Sequence, residues 1–371
     1  MPSFTIAIPD AEIADLKARL AATRFPKTLD NVGWDYGVDD AFLRRFVDYW
    51  AHDFDWRSVE ARLNAFPHFI EPILDQQVHF LHIRGRGETN VPLLLTNGWP
   101  SNFVELLPLV PLLTEPVDGV AFDLVLPSLP GYGFSGQPTA PGMNLAAVAP
   151  LWAALMTSLN YPKFLASGSD MGGGVVMALV RDFPERLIGA HYVNVYSGFP
   201  RPEAPTPEEA AWLGRMQQWS MSEGAYAFQQ GTKPATLAVG LNDSPAGLAA
   251  WILEKFKTWS DNGGDIENAF DLETLASIVS IYWFTQTIGS SMRLYKEAFA
   301  DPGLMTKPPR HSVPHGILAM VNEDAAPRAW GERHLWNIIR WTELRAGGHF
   351  PALEVPEDMA HDIRAFHGQI A

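Results

Sequence analysis

Gly168-Ser169-Asp170-Met171-Gly172 lies between an apolar run, KFLASG, and a helix-like run, GGVVMALVRDF. Small residues two before and two after a central residue allow a strained strand-to-helix turn that pushes one side chain outward. Here that side chain is Asp170. A carboxylate is ionised at neutral pH, so it can attack an electrophilic carbon directly and form an ester that water must later cleave. The competing reading is a glycine-rich phosphate loop, but the segment lacks the Lys-Ser/Thr ending such loops need. Two further segments offer what ester cleavage requires. Asn97-Gly98-Trp99-Pro100 directly follows VPLLLT and presents backbone N–H groups, and Gly347-Gly348-His349-Phe350 sets a histidine on a glycine turn after the last apolar run. A histidine there can act as a general base. The ordinary alternatives are a Gly-Pro turn for the first and a surface or core histidine for the second.

Composition narrows the field. The chain of 371 residues carries 27 Lys and Arg against 42 Asp and Glu, a net charge of −15, and has no basic run. Nucleic-acid binding and docking on an anionic membrane are therefore not expected. The absence of cysteine excludes disulfides, thiolate metal sites and a thiol nucleophile. His79 and His82 lie three apart on a strand-like run, on opposite faces, and make poor metal ligands. No stretch of about 18 apolar residues occurs, so no membrane span is expected, and the amino terminus does not read as a signal peptide.

The elements around the turn alternate. A helix is expected from Pro9-Asp10 through Leu20 and another over 39–52, where Phe42, Phe46, Tyr49 and Trp50 share a face. Residues 79–83 and 91–96 read as strands joined by the charged, glycine-rich RGRGET as a hairpin loop. Strands at 122–127, 163–170 and 187–195 then alternate with helices near 145–159 and after Asp170. The pattern resumes at 316–321 and 338–344 and ends in an amphipathic helix over 352–368. Such alternation implies a mostly parallel, doubly wound sheet. Between these halves, residues 200–300 are rich in helix formers and read as an inserted helical cap.

Together these features resemble the α/β-hydrolases, and longer segments resemble their epoxide hydrolases, in the branch of the microsomal and related bacterial enzymes. RLAATRFP (19–26), Trp34-Asp35-Tyr36-Gly37-Val38, Tyr49-Trp50, Asp55-Trp56-Arg57 and Leu63-Asn64-Ala65-Phe66-Pro67-His68-Phe69 are similar to that branch's amino-terminal arm. LPSLPGYGFSG (126–136) matches its core, while TKPATLAVGLNDSPAGLAAWILEKFKTWSD (232–261) and IYWFTQTIGSSMRLYKE (281–297) match its cap. The resemblance implies an α/β-hydrolase fold in four stretches: an N-terminal helical arm (1–78), a first core part (79–199), a helical cap (200–300) and a second core part (301–371).

It also implies a chemistry. Asp170 would open a hydrophobic epoxide, with the cap residues Tyr226 and Tyr295 donating to the ring oxygen. His349, oriented by an acid, would activate water to cleave the ester. The backbone N–H groups of Trp99 and Met171 would form the oxyanion hole. The acid falls on Glu323 when counted from Gly316 and on Asn322 when counted back from Ala326-Pro327; Glu323 is the choice and Asp324 the reserve. The sequence departs from the family's His-Gly-x-Pro by carrying Asn97. Tyr282 is set aside as a packing residue, and the remaining tryptophans are ascribed to packing of arm and cap. No metal or organic cofactor is expected, and the substrates are a small epoxide and water. A cytoplasmic protein is expected, and a homodimer remains open. The alternatives are a haloalkane dehalogenase-like hydrolase and a non-catalytic ligand-binding protein on the same scaffold.

Overall fold

The computed structural model describes residues 3–195, 199–301 and 311–371. Among these, nine strands form one sheet in the order β1-β2-β3-β5-β4-β6-β7-β8-β9. They are β1 (Ser3–Phe4), β2 (His68–Ile73), β3 (Gln76–Ile83), β4 (Thr89–Thr96), β5 (Val120–Pro127), β6 (Phe164–Gly168), β7 (Leu187–Val193), β8 (His315–Met320) and β9 (Ile338–Leu344). The first three strands and the β3–β5 pairing are antiparallel; from β5 onward every pairing is parallel. The central strands β5 and β6 are buried nearly throughout, and helices cover both faces of such a sheet, which is why these runs are apolar without alternation.

Two expectations need correction. Strands β3 and β4 are not a hairpin: β5 lies between them, antiparallel to β3 and parallel to β4. RGRGET has the turn signals of a hairpin, but a local turn cannot report which strand a later crossover inserts. The arm is also not purely helical. Beside α1 (Asp10–Ala21), α2 (Asp40–His52) and α3 (Trp56–Leu63) it carries β1 and β2, which extend the sheet through Phe69↔Phe80 and its neighbours.

The core helices are α4 (Leu109–Thr114), α5 (Leu145–Ser158) and α6 (Asp170–Asp182). Between β7 and β8 the described chain holds six helices: α7 (Pro207–Ser222), α8 (Ala225–Thr232), α9 (Pro234–Asp243), α10 (Pro245–Trp259), α11 (Leu272–Thr285) and α12 (Ile288–Phe299). Their starts are locally encoded. Thr206 and Glu209 form a reciprocal capping box at α7, with Pro207 in its first turn, and Asp271 caps α11 by accepting from Thr274 N at 2.6 Å; such caps satisfy the free N–H groups of a first turn. After β8 come α13 (Arg328–His334), α14 (Pro351–Glu354) and α15 (Pro356–Gly368).

The arm binds the cap from outside. Trp50 Nε1 donates to Ser280 Oγ of α11 at 2.9 Å within the core, and Arg45–Glu267, Arg62–Glu273 and Arg19–Asp243 pair at the surface. Exposed pairs contribute little each, so the joint rests on packed side chains such as Phe42, Phe46, Trp50 and Trp56, all buried. No helix among the described residues is long and apolar enough to cross a membrane.

Candidate active site

Strand β6 ends at Gly168, and α6 starts two residues later at Asp170, whose φ is +50°. This is the left-handed region that non-glycine residues seldom occupy outside turns and functional sites. The neighbouring glycines make the turn fit. A Cβ on Gly172 would lie 2.1 Å from Thr96 O, and one on Gly98 would lie 2.0 Å from Asp170 Oδ1 and 2.7 Å from Met171 N. The loop after β4 therefore presses backbone against the carboxylate. Trp99 N–H donates to Asp170 Oδ1 at 2.9 Å. The Met171 amide nitrogen and this oxygen both border the space that a side chain on Gly98 would fill.

His349 Nε2 lies 3.6 Å from Asp170 Oδ2, and its Nδ1 is hydrogen-bonded to Glu323 Oε1. Glu323 sits in the short turn after β8. Asn194, at the end of β7, holds it from behind: Asn194 Nδ2 donates to Glu323 Oε2 at 2.6 Å, and Asn194 Oδ1 accepts from Met320 N at 2.7 Å. Asp324 points elsewhere. It takes a bidentate bond from Arg215 of α7 at 2.7 and 2.8 Å. Asn322, the other count, donates to Asp261 Oδ2 and to Arg345 O. Burial alone would lower the His349 pKa, but the carboxylates of Glu323 and Asp170 outweigh it and hold it well above the ordinary imidazole value.

The cap brings two phenols over this floor. Tyr226 of α8 lies parallel to Trp99 and meets Tyr295 of α12 edge-on, with ring centroids 5.8 Å apart. Burial, then the charge of Asp170, raises Tyr226 above the ordinary phenol value; burial and the neighbouring Tyr226 raise Tyr295. Both remain protonated donors across the neutral range. The Tyr295 hydroxyl is buried and has no hydrogen-bond partner among the described residues. Leaving a buried hydroxyl unpaired costs about 1–3 kcal/mol, so such groups mark places where a bound molecule completes the bond. Tyr282, by contrast, donates to Ser101 O at 2.9 Å and packs as a satisfied core residue.

Several residues of the site were not expected. Trp259, at the end of α10, stands 5.0 Å from Tyr226 and 4.9 Å from His349, ring to ring. Lys255 lies 5.0 Å over the face of Tyr226 and pairs with Glu254 at 2.6 Å. Glu105 is buried beneath the Asn97 loop, where Asn97 Nδ2 donates to its Oε2 at 3.0 Å and to Asn102 O at 2.8 Å. Asn97 thus ties its loop to the turn that follows. Burial pushes the Glu105 carboxyl up to about 7. His79 makes no metal site; its Nε2 meets His68 Nδ1 at 2.9 Å inside the core, and no His, Asp and Glu group suited to a metal ion occurs among the described residues. A separate cleft of about 670 Å³ between α1 and α10, lined by Arg19, Arg24, Phe25 and Pro245, touches none of the residues around Asp170.

The strand-to-helix turn at Asp170, the sheet and the inserted cap define an α/β hydrolase. Comparison with known proteins agrees and goes further. Residues 1–106 match the family described as epoxide hydrolase N terminus, and residues 91–242 match the alpha/beta hydrolase fold. A protein of Stigmatella aurantiaca that carries an epoxide hydrolase name is 40% identical over 99% of this chain and 84% of its own length. Epoxide hydrolase 1 of Sus scrofa is 34% identical over 98% of this chain and 88% of its own. The crystal structure of the juvenile hormone epoxide hydrolase of Bombyx mori superposes with a TM-score of 0.87 at 32% identity, covering 99% of this chain and 93% of that one. The chain belongs to the epoxide hydrolase family.

Proposed function

We propose that the protein hydrolyses hydrophobic epoxides to vicinal diols through an ester on Asp170. The observation that carries the reading is the buried, unpartnered Tyr295 hydroxyl beside Tyr226, both rings packed on Trp99, whose N–H, with His349, holds the carboxylate of Asp170. An epoxide needs just this pairing of a carbon nucleophile with an oxygen donor. Its ring carbon is attacked while the departing oxygen gains negative charge and then a proton.

Charges balance through the cycle. Asp170 attacks one ring carbon, the C–O bond breaks, and a tyrosine O–H protonates the oxygen. His349, cationic between two carboxylates, returns a proton to the tyrosinate. Esterification has by then removed the charge of Asp170, one of the groups that hold the His349 proton, so the imidazole is free to act as a base. It takes a proton from water, whose oxygen attacks the ester carbonyl. The N–H groups of Trp99 and Met171 receive the oxyanion. Collapse of this intermediate releases the diol, and Asp170 and cationic His349 are restored.

The test is His349→Gln with a panel of aryl, alkyl and terpenoid epoxides. Intact mass should rise by the mass of the epoxide, because the ester forms and is not cleaved. Turnover of an epoxide by the parent enzyme with no adduct in this variant overturns the covalent route. One feature favours a second reading. The indole N–H groups of Trp99 and Trp259 are buried without an acceptor among the described residues and could hold a halide, so chloride release from a haloalkane panel discriminates a dehalogenase.

A further inference from the structure

Three backbone amides converge on one carboxylate behind the catalytic histidine. Glu354 Oε2 accepts from Asp261 N at 2.7 Å and from Gly348 N at 2.9 Å, and its Oε1 accepts from Phe350 N at 2.9 Å. Gly348 and Phe350 flank His349; Asp261 belongs to the turn that follows cap helix α10. More bonds join the same segments. His349 N donates to Trp259 O at 2.9 Å. Gly347 N and Asn322 Nδ2 both donate to Asp261 Oδ2, at 3.1 and 2.8 Å, and Asn322 directly precedes Glu323. The two segments touch so closely that a Cβ on Gly348 would lie 2.5 Å from Trp259 O.

The pattern is a brace between cap and core. One carboxylate, Glu354, fixes both sides of the histidine; the other, Asp261, reaches the histidine loop and the acid loop at once. Burial raises the Glu354 carboxyl above its ordinary value, while its three N–H donors and His349 draw it back. The groups that form the ester are held mainly by other contacts: Asp170 by Trp99 N–H, and the phenols by Trp99 and each other, with the Tyr226–Trp259 ring contact the one point shared with the brace.

We infer that Glu354 and Asp261 are positioning residues for the second half of the reaction: they set His349 and Glu323 for ester cleavage and have little part in ester formation. This rests on the covalent reading above. A misplacement of about 1 Å in a reacting group can lower a step by about 10²-fold, and here the displaced groups carry the water attack, whereas His349 enters the first half only by returning a proton once the ester has formed.

Glu354→Gln keeps the side chain's shape but sets an amide N–H against a backbone N–H. Asp261→Ala removes the second anchor. Asp261→Asn keeps one oxygen for both donors and is the conservative rescue. Rapid quench with styrene oxide, read by intact mass, separates adduct formation from adduct loss. The expected result for Glu354→Gln and Asp261→Ala is adduct loss slowed by about 10- to 100-fold, formation within about threefold of the parent, and adduct accumulating at steady state. Asp261→Asn should recover most of the lost rate. If Glu354→Gln fails to fold, the Asp261 pair carries the test. Parent-like adduct loss in both Glu354→Gln and Asp261→Ala, or formation and loss slowed equally, overturns the inference. His349→Gln in the same experiment keeps the two questions apart: adduct there with parent-like Glu354→Gln and Asp261→Ala overturns only the brace, whereas no adduct there overturns the covalent reading itself.

Discussion

The ring of Tyr226 lies 10° from parallel to the indole of Trp99, with centroids 5.4 Å apart. The residue whose amide holds Asp170 therefore also supports the cap phenol stacked upon it. In the proposed mechanism ring opening would depend on this one stack from two sides.

Tyr226→Phe and Tyr295→Phe should each slow adduct formation by about 10²-fold, the usual worth of a positioned proton donor, with adduct loss much less affected. Trp99→Phe keeps the backbone N–H and a stacking face and should lose less than Trp99→Ala. Single-turnover rates with one epoxide check all four. Since burial holds both phenols above the ordinary value near 10, the decline of ring opening with rising pH should begin only above that value. A fall-off near neutral pH, traced to these phenols by its loss in the Phe variants, would contradict the protonated-donor role.

Glu323 and Asp324 should separate cleanly. Glu323→Gln removes the anionic partner of His349 and should slow ester cleavage by about 10²- to 10⁴-fold. It also removes the largest influence that raises His349, so the acid limb of ester cleavage should move to lower pH. Asp324→Asn breaks an exposed pair with Arg215, worth at most about 1 kcal/mol, and should leave the cleavage rate near that of the parent. The reverse ranking in a single-turnover assay would exchange their roles.

Glu105 should make stability depend on pH in an unusual direction. Its carboxyl titrates near the ordinary value of 4.5 when unfolded but near 7 in the fold. The native state thus keeps the proton longer, and stability should fall as pH rises from about 4.5 to about 7, by on the order of 3 kcal/mol in total. Asn97, His349 and Asp170 act on this group, the first two favouring its charge and the last opposing it. Glu105→Gln should flatten the melting temperature across that window. An unchanged slope would mean that the group is charged throughout.

A second carboxylate works in the opposite sense. Asp362 of α15 accepts from Arg340 at 2.7 Å, Thr342 at 2.6 Å and His191 at 3.1 Å, and His191 meets Ser167 at 2.8 Å. The order of hydroxyl, imidazole and carboxylate is that of a hydrolytic triad, yet all three residues are buried. Burial would raise the Asp362 carboxyl, but His191, Thr342 and Arg340 outweigh it and hold it at about 2. Its stabilising effect is complete above about 3.8 and is lost as pH falls through 2. Asp362→Asn should destabilise the fold by about 3–5 kcal/mol in denaturant titration, with turnover per folded molecule unchanged.

Legibility from sequence followed the range of the interactions involved. The turn at Asp170 is written in adjacent small residues, and Glu323, which meets His349 Nδ1, could be counted from β8 because it follows that strand closely in the chain. Sheet order was harder. RGRGET reads as a hairpin because it is local, whereas the placement of β5 between β3 and β4 depends on a crossover. Trp259, Asp261 and Glu354 carry no motif of chemistry; their roles arise where backbone amides about 90 residues apart meet. Asn97, where the resemblance led to an expectation of histidine, donates a hydrogen bond to Glu105, a carboxylate that the sequence did not single out.

The arm fastens the cap through Trp50 and its aromatic neighbours while adding β1 and β2 to the sheet. One segment is thereby sewn to both halves of the enclosure. A swinging lid would have to tear that seam on every turnover. The spacing between cap and sheet is therefore set in part by a third segment that belongs to neither.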